Sequence, residues 1–270
     1  MSWQRFLPPV LFFPFLAYTV FSAPPVFFTV LVGVIVILGL LEFYNMVEKE
    51  DWWFLGLFSG IILVGSAHYG YSSPFWLSFF SVAKIGGTIT GVVFLILLLG
   101  LIREVVSAIS RFSLFAIIFG LLYIGWLTSH LILIKNLEAG EAKLLYLFAV
   151  VWTADGCAYL VGKRFGRHRN IFSQSPNKSV EGLIGSIVGS ILVSILLREC
   201  VGFSLFCSAV MGAVLALFAL FGDLVESSFK RNVGVKDSDS WIAEYGGILD
   251  VFDSIIVSAP VFYYILIFFD

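Results

Sequence analysis

Residues 203–226 read Phe203-Ser-Leu-Phe-Cys-Ser-Ala-Val-Met-Gly-Ala-Val-Leu-Ala-Leu-Phe-Ala-Leu-Phe-Gly-Asp223-Leu-Val-Glu226. No charge interrupts the run before Asp223. About 20 apolar residues span the hydrocarbon core of a bilayer as a helix. A membrane β-strand would instead alternate over about ten residues. This run therefore predicts a transmembrane helix with two acids at one end. The whole chain follows its character: of 270 residues, 60% are hydrophobic and 13% charged, and the mean hydropathy is +1.01. Soluble domains carry about 25% charged residues. That excludes a cytosolic globular enzyme, a disordered chain and a secreted disulfide scaffold. With 16 Lys and Arg against 18 Asp and Glu, no basic excess points to nucleic acid.

The reading is an all-α integral membrane protein, a polytopic bundle of about nine transmembrane helices. Spans fall at 6–22, 26–47, 53–71, 85–102, 112–134, 144–162, 183–198, 203–226 and 248–269. Ala23-Pro24-Pro25 separates the first two, and the first is read as a retained helix rather than a cleaved signal. Residues 1–270 form one transmembrane domain, with N-terminal apolar helices over 1–143 and the charged helices and loops over 144–270. Basic residues concentrate in cytoplasmic loops. With the N-terminus inside, Arg5, Lys49, Arg103, Arg111, Lys163, Arg164, Arg167, Arg169, Lys178, Lys230, Arg231 and Lys236 share the cytoplasmic face. Lys135, Lys143 and Arg198 lie opposite, and Lys84 is near the outer boundary. The C-terminus is then outside. The protein is expected in the cell inner (cytoplasmic) membrane, with its site facing the cytoplasm. No internal repeat is visible, which argues against an inverted-repeat transporter.

Within the later spans lie Asp155, Asp223, Glu226, Asp250 and Asp253. The i, i+3 spacing places Asp223 with Glu226, and Asp250 with Asp253, on common helix faces. One pair ends the eighth span and the other opens the ninth, so both share a depth. Asp155 is about 10 Å below the cytoplasmic end of the sixth span, at 1.5 Å per residue. Crowded carboxylates repel unless a cation sits among them, and hard oxygen ligands suit Mg²⁺. Asp223 and Asp250 are the leading metal candidates, with Glu226 and Asp253 beside them. For those two, solvated helix-end acids are an equal alternative. Lys230, Arg231 and Lys236 stand next to these acids. In the other loop, Ser175, Asn177, Lys178, Ser179 and Glu181 surround a helix start, where hydroxyls, an ammonium and free N–H groups suit an anion. Plain loop topology accounts for Lys163, Arg167 and Arg169. His68, His130 and His168 are isolated and read as packed or interfacial, Gly185 and Gly189 as a close helix contact, and Cys157, Cys200 and Cys207 as buried packing.

Gly222-Asp223-Leu224-Val225-Glu226-Ser227-Ser228-Phe229-Lys230-Arg231, then Lys236-Asp237, then Gly246-Gly247-Ile248-Leu249-Asp250 and Asp253 resembles the signature of the phosphatidate cytidylyltransferase (CDP-diacylglycerol synthase) family. That signature reads Ser-x-Lys-Arg-x4-Lys-Asp, then Pro-Gly-His-Gly-Gly-x-x-Asp-Arg-x-Asp. Asp155–Gly166 and Ser175–Gly182 are similar to another stretch of the family. The resemblance covers the C-terminal half. It departs at Ala243-Glu244-Tyr245, which replaces Pro-Gly-His, and at Val251, which replaces Arg. A mechanism needing a histidine base at that point is therefore not available.

The resemblance implies the reaction of CTP with phosphatidate to give CDP-diacylglycerol and pyrophosphate, by metal-assisted attack of the lipid phosphate on the CTP α-phosphorus. It implies catalytic roles for Asp223, Asp250, Lys230, Arg231, Lys236 and Asp237. Substrate-binding roles fall to Asp155, Ser175, Asn177, Lys178, Ser179, Glu181 and Ser228, and Mg²⁺, with a second cation at Asp155 as an option, is the cofactor. CTP, phosphatidate, membrane lipid and a homodimer mate are the partners. A CTP-dependent lipid kinase of the polyprenol type is the near alternative, and an ion or solute transporter the distant one.

Overall fold

The computed structural model describes residues 7–47, 53–70, 89–96, 113–235, 238 and 246–269. Helices account for nearly all of them. They are α1 (Leu7–Phe21), α2 (Pro25–Met46), α3 (Trp53–Gly70), α4 (89–96), α5 (Ser113–Gly120, continuing through a π-helical turn Leu121–Trp126 into Leu127–Lys135), α6 (Gly140–Phe165), α7 (Val180–Leu196), α8 (Leu205–Asn232) and α9 (Ile248–Phe269). No strand is present among the described residues, and Arg169 and Ser179 form an isolated antiparallel bridge. Among the described residues, five helices are long and apolar enough to cross a membrane: Pro25–Met46, Ala116–Lys135, Gly140–Phe165, Leu205–Asn232 and Ile248–Phe268. The protein is accordingly a multi-pass membrane protein. Most of the span expected over 85–102 lies outside the described residues.

Local sequence explains the helix ends. Pro24, extended at φ −52° and ψ 147°, breaks α1 from α2 and sets proline in the first turn of α2, where its missing N–H costs nothing. Ser179 caps α7 by accepting from Gly182 N at 3.1 Å, and Ser204 caps α8 by accepting from Cys207 N at 3.2 Å. α8 continues past the expected end at 226 to Asn232. Glu226 and Lys230, one turn apart, pair within it at 2.6 Å, and a basic last turn favours the helix C-terminus.

The core lies where α2, α5, α6, α8 and α9 meet. Phe43, Phe119 and Phe229 pack there, with ring centroids 4.6 Å apart for Phe119 and Phe229 and 5.6 Å for Phe43 and Phe229. This cluster ties the end of α8 to α2 and α5. Farther along, Tyr146 stacks on Phe262 at 5.3 Å. α7 lies against α6 and α8. Gly185 and Gly189 face Val161 and Cys157 there, so their place is close helix packing. The three cysteines are unbonded and half-buried. His68 lies 2.8 Å from the Thr29 hydroxyl, and His130 is buried against Trp126, Tyr263 and Tyr264. On the outer faces, Leu192, Leu196, Leu205 and Phe206 are exposed, as lipid-facing side chains are.

α8 and α9 approach each other closely. A Cβ on Gly222 would stand 2.5 Å from the Asp253 carbonyl oxygen. Overpacking of this kind costs about 1–3 kcal/mol. Gly222→Ala is therefore expected to lower the thermal unfolding midpoint in detergent. An unchanged midpoint would show that the two helices do not approach this closely.

Candidate functional site

The acids of α8 and α9 meet because Asp223, Glu226 and Lys230 share one face of α8 while Asp250, Asp253 and Ser254 share the facing side of α9. Together with α6, the loop 166–179 and the start of α7 they line a cavity of about 680 Å³. That volume is within the range of about 300–1,000 Å³ typical of small-molecule sites. Asp155 reaches it from α6, Asn177 and Lys178 from the loop, and Ser179 from the α7 cap. Apolar side chains of Ala158, Ile171, Phe172, Leu183 and Leu220 line it as well, as do Lys163 and Arg169.

Two ammonium groups answer the carboxylates. Lys178 Nζ is 2.6 Å from Asp223 Oδ2. Lys230 Nζ is 2.6 Å from Glu226 Oε2 and also donates to Asp250 Oδ1. The other oxygen of Asp250, Oδ2, accepts from Gly247 N at 2.8 Å and Ser238 N at 3.0 Å. Gly246 makes this turn possible, with φ +82° and no room for a Cβ beside the Asp250 carboxylate. Asp253, buried, accepts from Ser254 N at 2.5 Å. The Ser254 hydroxyl lies 3.2 Å from the Ala219 carbonyl and 3.4 Å from Asp155 Oδ1. Asp155 and Asp253 thus meet the cavity through neutral donors.

The donor set suits a divalent cation. Glu226 is 2% exposed, and its Oε1 has no hydrogen-bond partner among the described residues. A buried carboxylate oxygen left unpaired is costly and is the kind of hard ligand Mg²⁺ takes. Among the described residues no three His, Cys, Asp or Glu side chains converge as a ready-made metal cage. Mg²⁺ does not need one, since it commonly uses one or two carboxylates plus substrate phosphates.

Not every residue singled out from sequence lines the cavity. Asp155, Asn177, Lys178, Ser179, Asp223, Glu226, Lys230, Asp250 and Asp253 do. Ser175, Glu181, Ser228 and Arg231 are not among the lining residues. Ser175 forms a turn, donating its N–H to Phe172 O and accepting from Lys178 N. Ser228 is buried within α8, and Arg231 is exposed. Lys236 and Asp237 lie outside the described residues. Glu181 braces the loop. Its carboxylate accepts from Arg167 N at 3.1 Å and His168 N at 3.3 Å, and its Oε1 is 2.6 Å from His168 Nδ1.

Sequence reading passed over Glu42 and Ser238, and assigned Lys163 and Arg169 to plain loop topology. Glu42, 3% exposed in α2, accepts from Ile248 N at 2.7 Å and Leu249 N at 2.9 Å, and so caps α9. A single acid inside an otherwise uncharged span was the available signal. Lys163 lines the cavity from the last turn of α6, and Arg169 from the loop that its bridge to Ser179 ties back to the start of α7.

A family model described as the cytidylyltransferase family matches residues 3–269. The chain is 37% identical over 161 residues to the phosphatidate cytidylyltransferase of Staphylococcus aureus (strain COL), covering 58% of this chain and 62% of that protein. It is 36% identical over 170 residues to the protein of that name from Staphylococcus saprophyticus, covering 62% and 65%. With that of Staphylococcus haemolyticus the identity is 42% over 130 residues, covering 47% and 50%. The matched stretches span less than two thirds of these relatives' length.

The Glu181 brace has a defined pH range. Its hydrogen bond with the His168 side chain, followed by backbone N–H groups, holds the carboxyl down from its ordinary value of 4.5 to about 2. A lowered value in the folded state means the brace contributes fully above the ordinary carboxylate range and is lost as pH falls through about 2. Hydrogen exchange should show the Arg167 and His168 amides protected at pH 4, and severalfold faster exchange there in Glu181→Gln. Equal exchange in the two proteins would remove the brace from the loop's stability.

Proposed function

The chain belongs to the cytidylyltransferase family, and from that premise we propose that it is a CTP:phosphatidate cytidylyltransferase, forming CDP-diacylglycerol and pyrophosphate for phospholipid synthesis. The observation that carries this reading is the cavity itself. Five carboxylates, three lysines and Arg169 line it where the paired ends of α8 and α9 meet, together with apolar side chains. A soluble triphosphate and a lipid phosphate need such a place, wet on one side and open to acyl chains on the other.

In this reading the chain has nine spans, with its N-terminus in the cytoplasm and its C-terminus outside. The cavity then faces the cytoplasm at the inner membrane. The twelve basic residues assigned to that face from the sequence support the orientation.

A phosphate oxygen of phosphatidate attacks the α-phosphorus of CTP. The new P–O bond forms as the bond from the α-phosphorus to the bridging oxygen breaks, and pyrophosphate leaves with that electron pair. The attacking oxygen is already anionic at pH 7, so no protein base is required and the missing histidine is not a loss. Positioning and charge neutralisation then carry the catalysis. Lys178 and Lys230 stand ready to exchange carboxylate partners for phosphate oxygens, and Lys163 and Arg169 receive the triphosphate or the lipid headgroup at the cavity wall. Asn177 and Ser179 orient the bound phosphates, and Arg231, Lys236 and Asp237 complete the basic motif. Asp223 and Asp250, with Glu226 and Asp253 beside them and Asp155 behind, would hold Mg²⁺, which when bound neutralises charge on the triphosphate and polarises its phosphorus.

Purified protein given labelled CTP, Mg²⁺ and phosphatidate is expected to yield CDP-diacylglycerol and pyrophosphate in equal amounts. Release of CDP and a phosphorylated lipid instead would establish the kinase. Asp250→Asn should lower turnover by at least about a hundredfold, as losing a charged group that supports the transition state does, in a protein that still purifies folded. Activity like wild type in that variant would remove Asp250 from the reaction. Excess chelator should stop turnover, and full activity in its presence would point to a metal-free route.

A further inference from the structure

Glu42 stands in α2, 208 residues before Asp250 in the chain, in the half of the sequence that showed no sign of a site. Its carboxylate is fully engaged. Oε1 accepts from Ile248 N at 2.7 Å, and Oε2 accepts from Leu249 N at 2.9 Å. The Ser238 hydroxyl is 3.0 Å from Glu42 Oε2 and 2.8 Å from Asp250 Oδ2. Its single proton can serve one of these oxygens at a time. When it goes to Glu42, the Ser238 and Gly247 N–H groups remain on Asp250 Oδ2. That leaves Oδ1 of Asp250 directed to Lys230 on the cavity side.

We infer that Glu42 is a positioning residue: through the first turn of α9 and through Ser238 it sets the direction in which Asp250 presents its carboxylate to the cavity. The inference rests on the reading of Asp250 as a reactive-site ligand. Three features separate this arrangement from simple capping. An ordinary cap comes from the residue just before the helix, whereas this one is supplied by another span. It holds two consecutive N–H groups and also the hydroxyl of Ser238, which itself touches Asp250. The fit leaves no spare space, since a Cβ on Gly247 would collide with both Ser238 Oγ and Glu42 Oε2. A shift of Glu42 is therefore transmitted to Gly247, whose N–H holds Asp250.

Groups that orient a metal ligand typically change metal affinity or activity about 10–100-fold when removed. Glu42→Gln keeps the side-chain shape but turns one acceptor into a donor facing the helix N–H groups. Glu42→Gln is expected to raise the Mg²⁺ concentration for half-maximal turnover by about tenfold or more, with the KM for phosphatidate unchanged. Direct Mn²⁺ binding, read by electron paramagnetic resonance without substrate, should weaken by a similar factor. Ser238→Ala, which leaves the Glu42 cap in place, should reproduce the metal shift without speeding exchange of the Ile248 and Leu249 amides. In Glu42→Gln those amides should exchange faster. A fall in kcat alone, with Mg²⁺ dependence and Mn²⁺ binding as in wild type, would reduce Glu42 to a structural cap and overturn the inference. Wild-type protein that turns over no CTP would instead overturn the functional reading, and the Mn²⁺ and exchange measurements would still decide the role of Glu42.

Discussion

Lys230 lies between Glu226 and Asp250, at the seam where the end of α8 meets the beginning of α9. A carboxylate taken out of water costs several kcal/mol unless a cation and hydrogen bonds compensate. One ammonium here serves two acids from different helices, so neither helix can shift without uncovering a charge. Much of the surrounding structure follows from that requirement. α8 must run to Asn232 to carry Lys230 on the face of Glu226. α9 must begin at Ile248 so that Asp250 falls in its first turn, where a negative charge is favoured by the helix dipole. Gly222 and Gly246 are the positions where a side chain would push these partners apart.

The second ammonium works differently. Lys178 comes from a loop rather than a helix, and Asp223 holds it across the cavity. That loop is anchored at its base by the Arg169–Ser179 bridge, the Ser179 cap and the Glu181 brace. The site thus combines one cation locked into helix packing with another on a short, tethered stretch of chain. An anion entering the cavity would meet the second with less structural cost, because releasing Lys178 from Asp223 leaves the helix seam intact.

Much of this was legible in the sequence because helices have a period. The i, i+3 spacing of Asp223 with Glu226, and of Asp250 with Asp253, is enough by itself to put each pair on one face. The apolar runs located the described ends of most helices to within a few residues, although α8 runs on from the expected 226 to Asn232. Contacts between distant segments were not legible. Nothing local to Glu42 says that it meets the start of α9, although a lone acid in an apolar span should have drawn attention. The role of Glu181 was hidden for a related reason: an acid in the first turn of a helix reads as a substrate or dipole partner, and only the return of the loop shows that it holds Arg167 and His168. Arg231 and Lys230 are adjacent and equally basic, yet the helix turns Lys230 inward and leaves Arg231 exposed.

The contact between Glu42 and α9 also bears on how the protein is made. α2 leaves the ribosome long before α9, and chains are built at about 5–20 residues per second. During that interval Glu42 is an acid in an apolar helix without the N–H groups that later hold it. It must stay near the membrane surface, associate with water, or carry a proton until Ile248 and Leu249 arrive. Closure of the site is therefore a late event in biogenesis, joining segments separated by most of the chain, and any product that stops before α9 lacks the two N–H groups that hold this acid.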